Sequence, residues 1–304
     1  MKIACITITM NDDVRIEQWR SLYDEYKNEL AYHIIVDNAS RKEYKDKLHQ
    51  NFPNSIIIER ETNGGCTGAY NDGIKYALEK TDCDSIAIIC NDTKTFPGYF
   101  TEQYNYLFSD DKLGMVSALS LKRDTDIIAE YGHHISYVMT QIEEYKGEKI
   151  ENVPEQRYVE MVAGGANLAK RVFYERCGLQ DDNLFMYADE LDTAIRAKRN
   201  GFKIGVTTRA LRMHYHIALG DNFDRPYSAY YMMRRNRLYI TKKYFGLFRR
   251  INVFLYVWTH DFFYYIISLI KGDSQKAEMN KWRMIGCYYG FWGRMERNKY
   301  FNPA

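Results

Sequence analysis

The chain lacks a charge excess of either sign: Lys+Arg number 42 and Asp+Glu 40 in 304 residues. Nothing in that balance favours a polyanion, so nucleic acid is not an expected partner. Paired cysteines are lacking too. Cys5, Cys66, Cys83, Cys90, Cys177 and Cys287 are scattered, without the spacing of a metal cluster. They read as reduced thiols of a cytosolic protein. No Pro/Ser-rich linker and no internal repeat divides the chain, and the apolar run at the N-terminus is too short for a signal peptide. Glycine is missing from the end of the first expected strand, Thr7-Ile8-Thr9-Met10-Asn11. A dinucleotide fingerprint needs glycines directly after that strand, which counts against a nicotinamide enzyme. No long apolar run is unbroken either. Val253 to Ile270 comes nearest, and Thr259, His260, Asp261 and Ser268 interrupt it.

What is present is an alternation of strands and helices. Ser85-Ile86-Ala87-Ile88-Ile89-Cys90 is almost continuously apolar and stops at Asn91-Asp92-Thr93. A run without alternation is the pattern of a strand buried on both faces. In an open α/β sheet, ligands bind outside the carboxyl ends of the strands. That places Asp92 at the edge of a crevice, where a carboxylate can hold a divalent cation and, through it, a diphosphate. Asn91-Asp92 can equally start a turn. Further strands are predicted over Lys2 to Thr9, His33 to Val36, Ser55 to Glu59, Val116 to Leu119 and Phe202 to Val206. Helices are predicted over Ile16 to Leu30, after the glycine-rich turn from Asn63 to Gly73, and from Asp189 to a stop at Asn200-Gly201. The alternation implies an α/β fold with a doubly wound, mainly parallel sheet. Residues 122–160 are compatible with short strands or with a loop over the site. From Tyr227 onward the chain reads as helical and rich in Tyr and Arg.

The order of the motifs resembles the family 2 glycosyltransferases, and most closely their bacterial rhamnosyl- and galactofuranosyl-transferase-like branch. Thr9-Met10-Asn11 stands where that family has Thr-Tyr-Asn, and Val36-Asp37-Asn38-Ala39-Ser40 matches its Val-Asp-Asn-x-Ser. Asn63-x-Gly65-x-x-Gly68-x-x-Asn71-x-Gly73 matches its glycine-rich segment, and Cys90-Asn91-Asp92-Thr93 sits at its Asp-x-Asp position. Phe185 to Arg196, followed by Gly201-Phe202, matches its acidic helix. His214, Tyr230-Tyr231-x-x-Arg234-Arg235-Asn236 and Gly286-x-x-x-Gly290-x-x-Gly293 resemble its later signatures. Two positions depart from the pattern: Cys90 replaces the first acid of the pair, and the Glu-Asp pair is exchanged to Asp189-Glu190.

The resemblance implies a GT-A nucleotide-sugar-binding fold, with residues 1–225 as the catalytic domain and 226–304 as a helical C-terminal region. It implies donor contacts from Thr9, Asn11, Asp37, Asn38, Asn63, Gly65, Gly68, Asn71, Asn91 and Asp92. Asp37 can accept hydrogen bonds from a base or ribose, or simply cap its turn. Asp92 and His214 can converge on Mg2+ or Mn2+ and offset charge on a leaving diphosphate. His216 lies close by in sequence, and one of the two histidines is expected to be structural. Gly164, Gly165 and Asp192 are placed at the acceptor or sugar, although a glycine pair can also serve packing. Glu190, with Asp189 second, is the expected base, although Asp189-x-x-Asp192 also has the shape of a helix-capping pair.

The implied activity is inverting, metal-dependent transfer of a sugar from a nucleotide-diphosphate donor to a hydroxyl of a glycan or lipid-linked acceptor, in cell-surface polysaccharide synthesis. A non-catalytic carbohydrate- or nucleotide-binding module on the same fold is the alternative. Location in the cytoplasm follows, and Val253 to Ile270 is expected on the inner membrane surface, flanked by Arg249, Arg250 and Lys271. A buried helix pair or a homodimer contact would account for the same apolar stretch.

Overall fold

The computed structural model describes residues 1–214 and 225–295; His216 lies outside them. In chain order the elements are β1 (Ile3–Thr9), α1 (Ile16–Tyr26), β2 (Tyr32–Asp37), α2 (Lys42–Asn51), β3 (Ile56–Glu59), α3 (Gly65–Lys80) and β4 (Ser85–Ile89). They continue with β5 (Thr93–Thr95), α4 (Tyr99–Phe108), β6 (Leu113–Leu121), β7 (Ile128–Glu130), β8 (His133–Ile135), β9 (Gln141–Glu143), β10 (Gln156–Val159) and β11 (Ala166–Lys170). The last are α5 (Arg171–Cys177), α6 (Asp189–Arg199), β12 (Lys203–His214), α7 (Tyr227–Tyr244), α8 (Leu247–Ile270) and α9 (Ser274–Trp292). The chain divides into two compact units.

The first unit comprises Met1–His134, Ile142–Phe185 and the chain from Thr193 through β12. Its sheet runs in the order β10-β12-β6-β11-β4-β1-β2-β3, with β5 added on β12 and β7 on β6. β3, β2, β1 and β4 are mutually parallel, as are β6 and β12. β11 runs antiparallel between β4 and β6. Both faces are covered, which is why β4 and β6 are buried along their whole length and read as apolar runs. On one side Trp19 of α1, Tyr44 and Leu48 of α2 and Phe52 pack on Ile35. A second cluster gathers Tyr99, Phe100 and Leu107 of α4 with Ala87, Ile89, Val116 and Leu168 of the sheet.

Two expectations change, and a third, left between short strands and a loop, resolves to strands. The helix that the glycine-rich stretch leads into begins earlier than expected, inside that stretch, at Gly65. The last strand is far longer than Phe202 to Val206: β12 reaches His214 through an irregular register against β6. Residues 122–160 hold β7 to β10, short strands paired at the sheet edge and in a two-stranded ribbon of β8 and β9.

The second unit comprises Ile135–Gln141, Met186–Asp192 and the helices α7, α8 and α9. Gly286 and Gly290 let α9 close on α7: a Cβ there would lie 2.3 Å from the Tyr231 carbonyl oxygen and 2.1 Å from that of Arg235. Asp261, in the middle of α8, is fully buried and accepts both arms of Arg234 at 2.7 and 2.8 Å. The polar break in the apolar run is thus the side of α8 that faces α7. A second side packs on α9, with Phe254 against Phe291, and the remaining side is apolar and open to solvent, with Phe248 75% and Ile270 80% exposed. The expected basic flank is smaller than the sequence suggests. Arg249 donates to the Tyr137 carbonyl and stacks over Phe245, Arg250 lies over Phe291, and Lys271 remains exposed.

Candidate active site

The site is made at the carboxyl ends of adjacent strands. Parallel register sets Thr9 opposite Asp37 and Ile6 opposite Ile88, so the segments after β1, β2 and β4 leave the sheet along one edge. β12 reaches the same edge by pairing antiparallel with β5, which places His214 opposite Thr93. That register brings together Asp92 and His214, 122 residues apart in sequence, with His214 Nε2 and Asp92 Oδ1 at 2.7 Å.

Cys90 Sγ joins them. One ligand atom each from Cys90, Asp92 and His214 lies within 4.8 Å of the others. Asp92 is only 6% exposed, and its second oxygen accepts from Arg15 Nη1 at 3.3 Å. Arg15 is itself aimed by Asp12, which accepts from Arg15 Nε at 2.9 Å and from Asn91 Nδ2 at 2.7 Å. Burial works to lower the His214 imidazole. Its hydrogen bonds with Asp92 and Cys90, and their charge, outweigh that and push it up to about 9. His214 is therefore protonated at neutral pH, and Asp92 sits between two cations. A divalent ion can take the place of that proton. A carboxylate and an imidazole suit Mn2+ and its neighbours, and a thiolate suits softer metals. The donor set fits a divalent cation.

Beside this cluster is a tightly bonded edge that carries the residues expected at the donor. Asp37 is fully buried. Its Oδ2 accepts from the Ser40 amide at 3.1 Å, while Oδ1 has no hydrogen-bond partner among the described residues. That oxygen can accept from a water or from an outside group, as can other buried polar atoms left unpaired among the described residues, such as Thr7 Oγ1. Asn38 donates to Asn63 Oδ1 at 3.0 Å and to the Gly65 carbonyl at 3.1 Å, and accepts from the Gly64 amide at 3.0 Å. Asn63 Oδ1 in turn accepts from the Gly65 amide at 2.8 Å. Gly65 has φ +72, and a Cβ would lie 2.1 Å from the Phe185 carbonyl oxygen, so no other residue fits there without displacing that turn. Thr9 shares a short hydrogen bond with Tyr44. Asn11 accepts from the Arg41 amide at 2.9 Å, its own amide donates to Ser40 Oγ at 2.8 Å, and its φ is 50.

The other expected donor and sugar residues are placed as follows. The Gly68 carbonyl accepts from Arg60 Nη1 at 2.9 Å. Asn71 ties α3 to the segment before α6, donating to the Gln180 carbonyl at 2.9 Å and to Asp182 at 2.6 Å. Gly164 accepts from Asn167 Nδ2 at 3.0 Å, and Gly165 accepts from the Cys90 amide at 2.9 Å. This glycine pair therefore adjoins Cys90.

In the second unit, Asp189 and Glu190 open α6 behind a strained turn. Tyr187 and Ala188 have φ 70 and 62, the kind of backbone that persists only where neighbours enforce it. Asn236 enforces it here, donating to the Met186 and Tyr187 carbonyls, both at 2.8 Å. Asp189 does not hold the cap position: the first carbonyl taken up by the helix is that of Ala188, accepting from the Asp192 amide at 3.2 Å. Asp189 is buried and Glu190 half-buried. Asp192 is fully buried, and Lys243 Nζ and the Tyr244 hydroxyl reach it at 2.9 and 2.7 Å.

Sequence reasoning did not single out Arg15, Asp12, Asn236, or Cys90 as a ligand. Asp12 lies in the polar turn ending β1 and Asn236 in the quoted C-terminal signature, so both carried a signal. Arg15 carried none.

The fold is the GT-A architecture, shared with solved glycosyltransferases. No family model matches the chain. In sequence it is similar to the low-salt glycan biosynthesis hexosyltransferase Agl10 of Haloferax volcanii, 22% identical over 254 residues and 78% of each chain. It is also similar to the dTDP-rhamnosyl transferase RfbF of Shigella flexneri, 22% identical over 304 residues and 96% of each chain. Among solved structures, GalNAc-T7 with UDP, GalNAc and Mn2+ matches with a TM-score of 0.63 at 12% identity, over 95% of this chain. This chain spans 56% of the length of that protein. The mannosyltransferase PcManGT of Pyrobaculum calidifontis, in complex with GDP-Man and Mn2+, matches with a TM-score of 0.56 at 13% identity, over 96% of this chain and 87% of that one. At these identities the structural likeness shows the fold.

Proposed function

We propose that the protein is a metal-dependent glycosyltransferase. It moves a sugar from a nucleotide-diphosphate donor to a hydroxyl of a glycan or lipid-linked acceptor, with inversion, in cell-surface polysaccharide synthesis. One observation carries this reading: the Cys90–Asp92–His214 cluster lies on the same strand-end edge as the orphaned carboxylate oxygen of Asp37. A cation site and a buried acceptor on one edge suit a diphosphate at the first and a base or ribose at the second. Asp92 and His214 would hold Mg2+ or Mn2+, and the ion when bound supplies positive charge against the departing diphosphate.

The chain's own residues do the rest. Asn38, Asn63 and Gly65 hold the turn that lets backbone approach the nucleotide. Arg15 keeps Asp92 oriented. Glu190, with Asp189 as the alternative, takes the proton from the acceptor hydroxyl, and the start of a helix favours the ionised form that this requires. Asn236 positions that turn.

The same reading places the protein in the cytoplasm, against the inner membrane surface where lipid-linked acceptors reside. The exposed apolar sides of α8 support contact with lipid, because Asp261 is withdrawn into its pair with Arg234. Thermal stabilisation across a panel of UDP-, dTDP- and GDP-sugars, with and without Mn2+, tests the core of the proposal. One nucleotide class raises Tm only when metal is present. Stabilisation by none, or equally by all with chelator added, contradicts it.

A further inference from the structure

We propose that Cys90 is itself a ligand of the metal, and that its thiolate biases the centre towards borderline ions such as Co2+ or Zn2+ and away from Mg2+. This rests on the metal reading above and adds a donor to it.

Geometry comes first. Cys90 Sγ is within 4.8 Å of ligand atoms of both Asp92 and His214. It therefore faces a carboxylate and an imidazole, whereas a cysteine that only packs faces apolar neighbours. The sulfur is also held in place. The Cys90 amide donates to the Gly165 carbonyl at 2.9 Å, and a Cβ at position 165 would lie 2.4 Å from Cys90 Sγ. The thiol thus occupies room that glycine alone leaves open, so Gly165 serves Cys90 directly. Access is the third point. Cys5, Cys83, Cys177 and Cys287 are buried, while Cys90 and Cys66 are half-buried, so an ion can reach Cys90 from the site.

The chemistry follows from the donor atom. Carboxylate and water select hard ions, and thiolate selects softer ones. An Asp-x-Asp arrangement would offer two carboxylates; here the first is replaced by sulfur. Ligation displaces the thiol proton to solvent, and sulfur contributes an electron pair to the ion without any change in oxidation state.

The test is optical and needs no turnover. The full-length protein, stripped of metal, is titrated with Co2+. Ligation by Cys90 gives a near-ultraviolet thiolate-to-cobalt charge-transfer band that saturates with one ion. The band is lost in Cys90→Ser and Cys90→Asp and kept in Cys66→Ser. Equilibrium dialysis run in parallel shows Cys90→Asp still binding an ion, with its preference moved towards Mg2+ and Mn2+. Circular dichroism confirms that the variants are folded. Cobalt bound without the band, or a band that survives in both Cys90 variants, overturns the thiolate ligand and leaves the Asp92–His214 site standing. No cobalt bound by the wild-type protein overturns the metal reading itself, and this inference with it.

Discussion

Asp92 and His214 form one electrostatic unit, and its charge state depends on pH. The imidazole is raised from its ordinary 6.5 to about 9, burial opposing and the Asp92 and Cys90 interactions prevailing. In the metal-free protein the stability contributed by the protonated pair is complete below about pH 6.5 and is lost as pH climbs through about 9. A cation must expel that proton, so Mn2+ affinity should strengthen with rising pH over the same window, by up to about tenfold per unit. Calorimetric Mn2+ titrations at several pH values between 6.5 and 9 check this; an affinity indifferent to pH across the window contradicts the protonated His214. At this scale Asp92 was legible in the sequence, because an apolar run that stops at a carboxylate marks a strand end. His214 was legible only through resemblance to a family. The contact between them depends on the β12–β5 register, and nothing local encodes a pairing across 122 residues.

The strained turn before α6 and the first turn of that helix are the elements that would deliver the base. The helix itself was plain, from Asp189 to the stop at Asn200-Gly201. The left-handed backbone at Tyr187 and Ala188 was not, since neither residue favours it; the tertiary bonds from Asn236 impose it. Glu190→Gln keeps shape and removes basicity, so transfer should fall by roughly 10²–10⁴-fold while donor binding survives. Normal transfer by Glu190→Gln, with Asp189→Asn inactive but still binding donor, moves the role to Asp189. Activity in both variants removes it from α6. Among strands, β4 was readable because burial on both faces gives a continuous apolar run. The strands β7, β8 and β9 have three residues each, too few to display a period of two. The antiparallel insertion of β11 is a matter of topology that no local pattern carries.

On the scale of the whole molecule, the chain has two compact units, and α8 of the second exposes an apolar face. Val253 to Ile270 was recognisable as unusual. Its exposed face was not, because the run also fits a buried helix; the Arg234–Asp261 pair and the buried Val253 and Val257 show which side turns inward. With that pair intact, the protein should float with anionic liposomes at low salt. Protein that stays at the bottom of the gradient and elutes as a dimer assigns the face to self-association instead. The most direct test of the glycosyltransferase reading is release of nucleoside diphosphate from the stabilising nucleotide sugar, compared between wild type and Asp92→Asn with Mn2+ present and chelated. Metal-dependent release by wild type, and none by the folded variant, is the predicted result; wild-type release that survives chelation, or an Asp92→Asn variant that turns over at the wild-type rate, would contradict it.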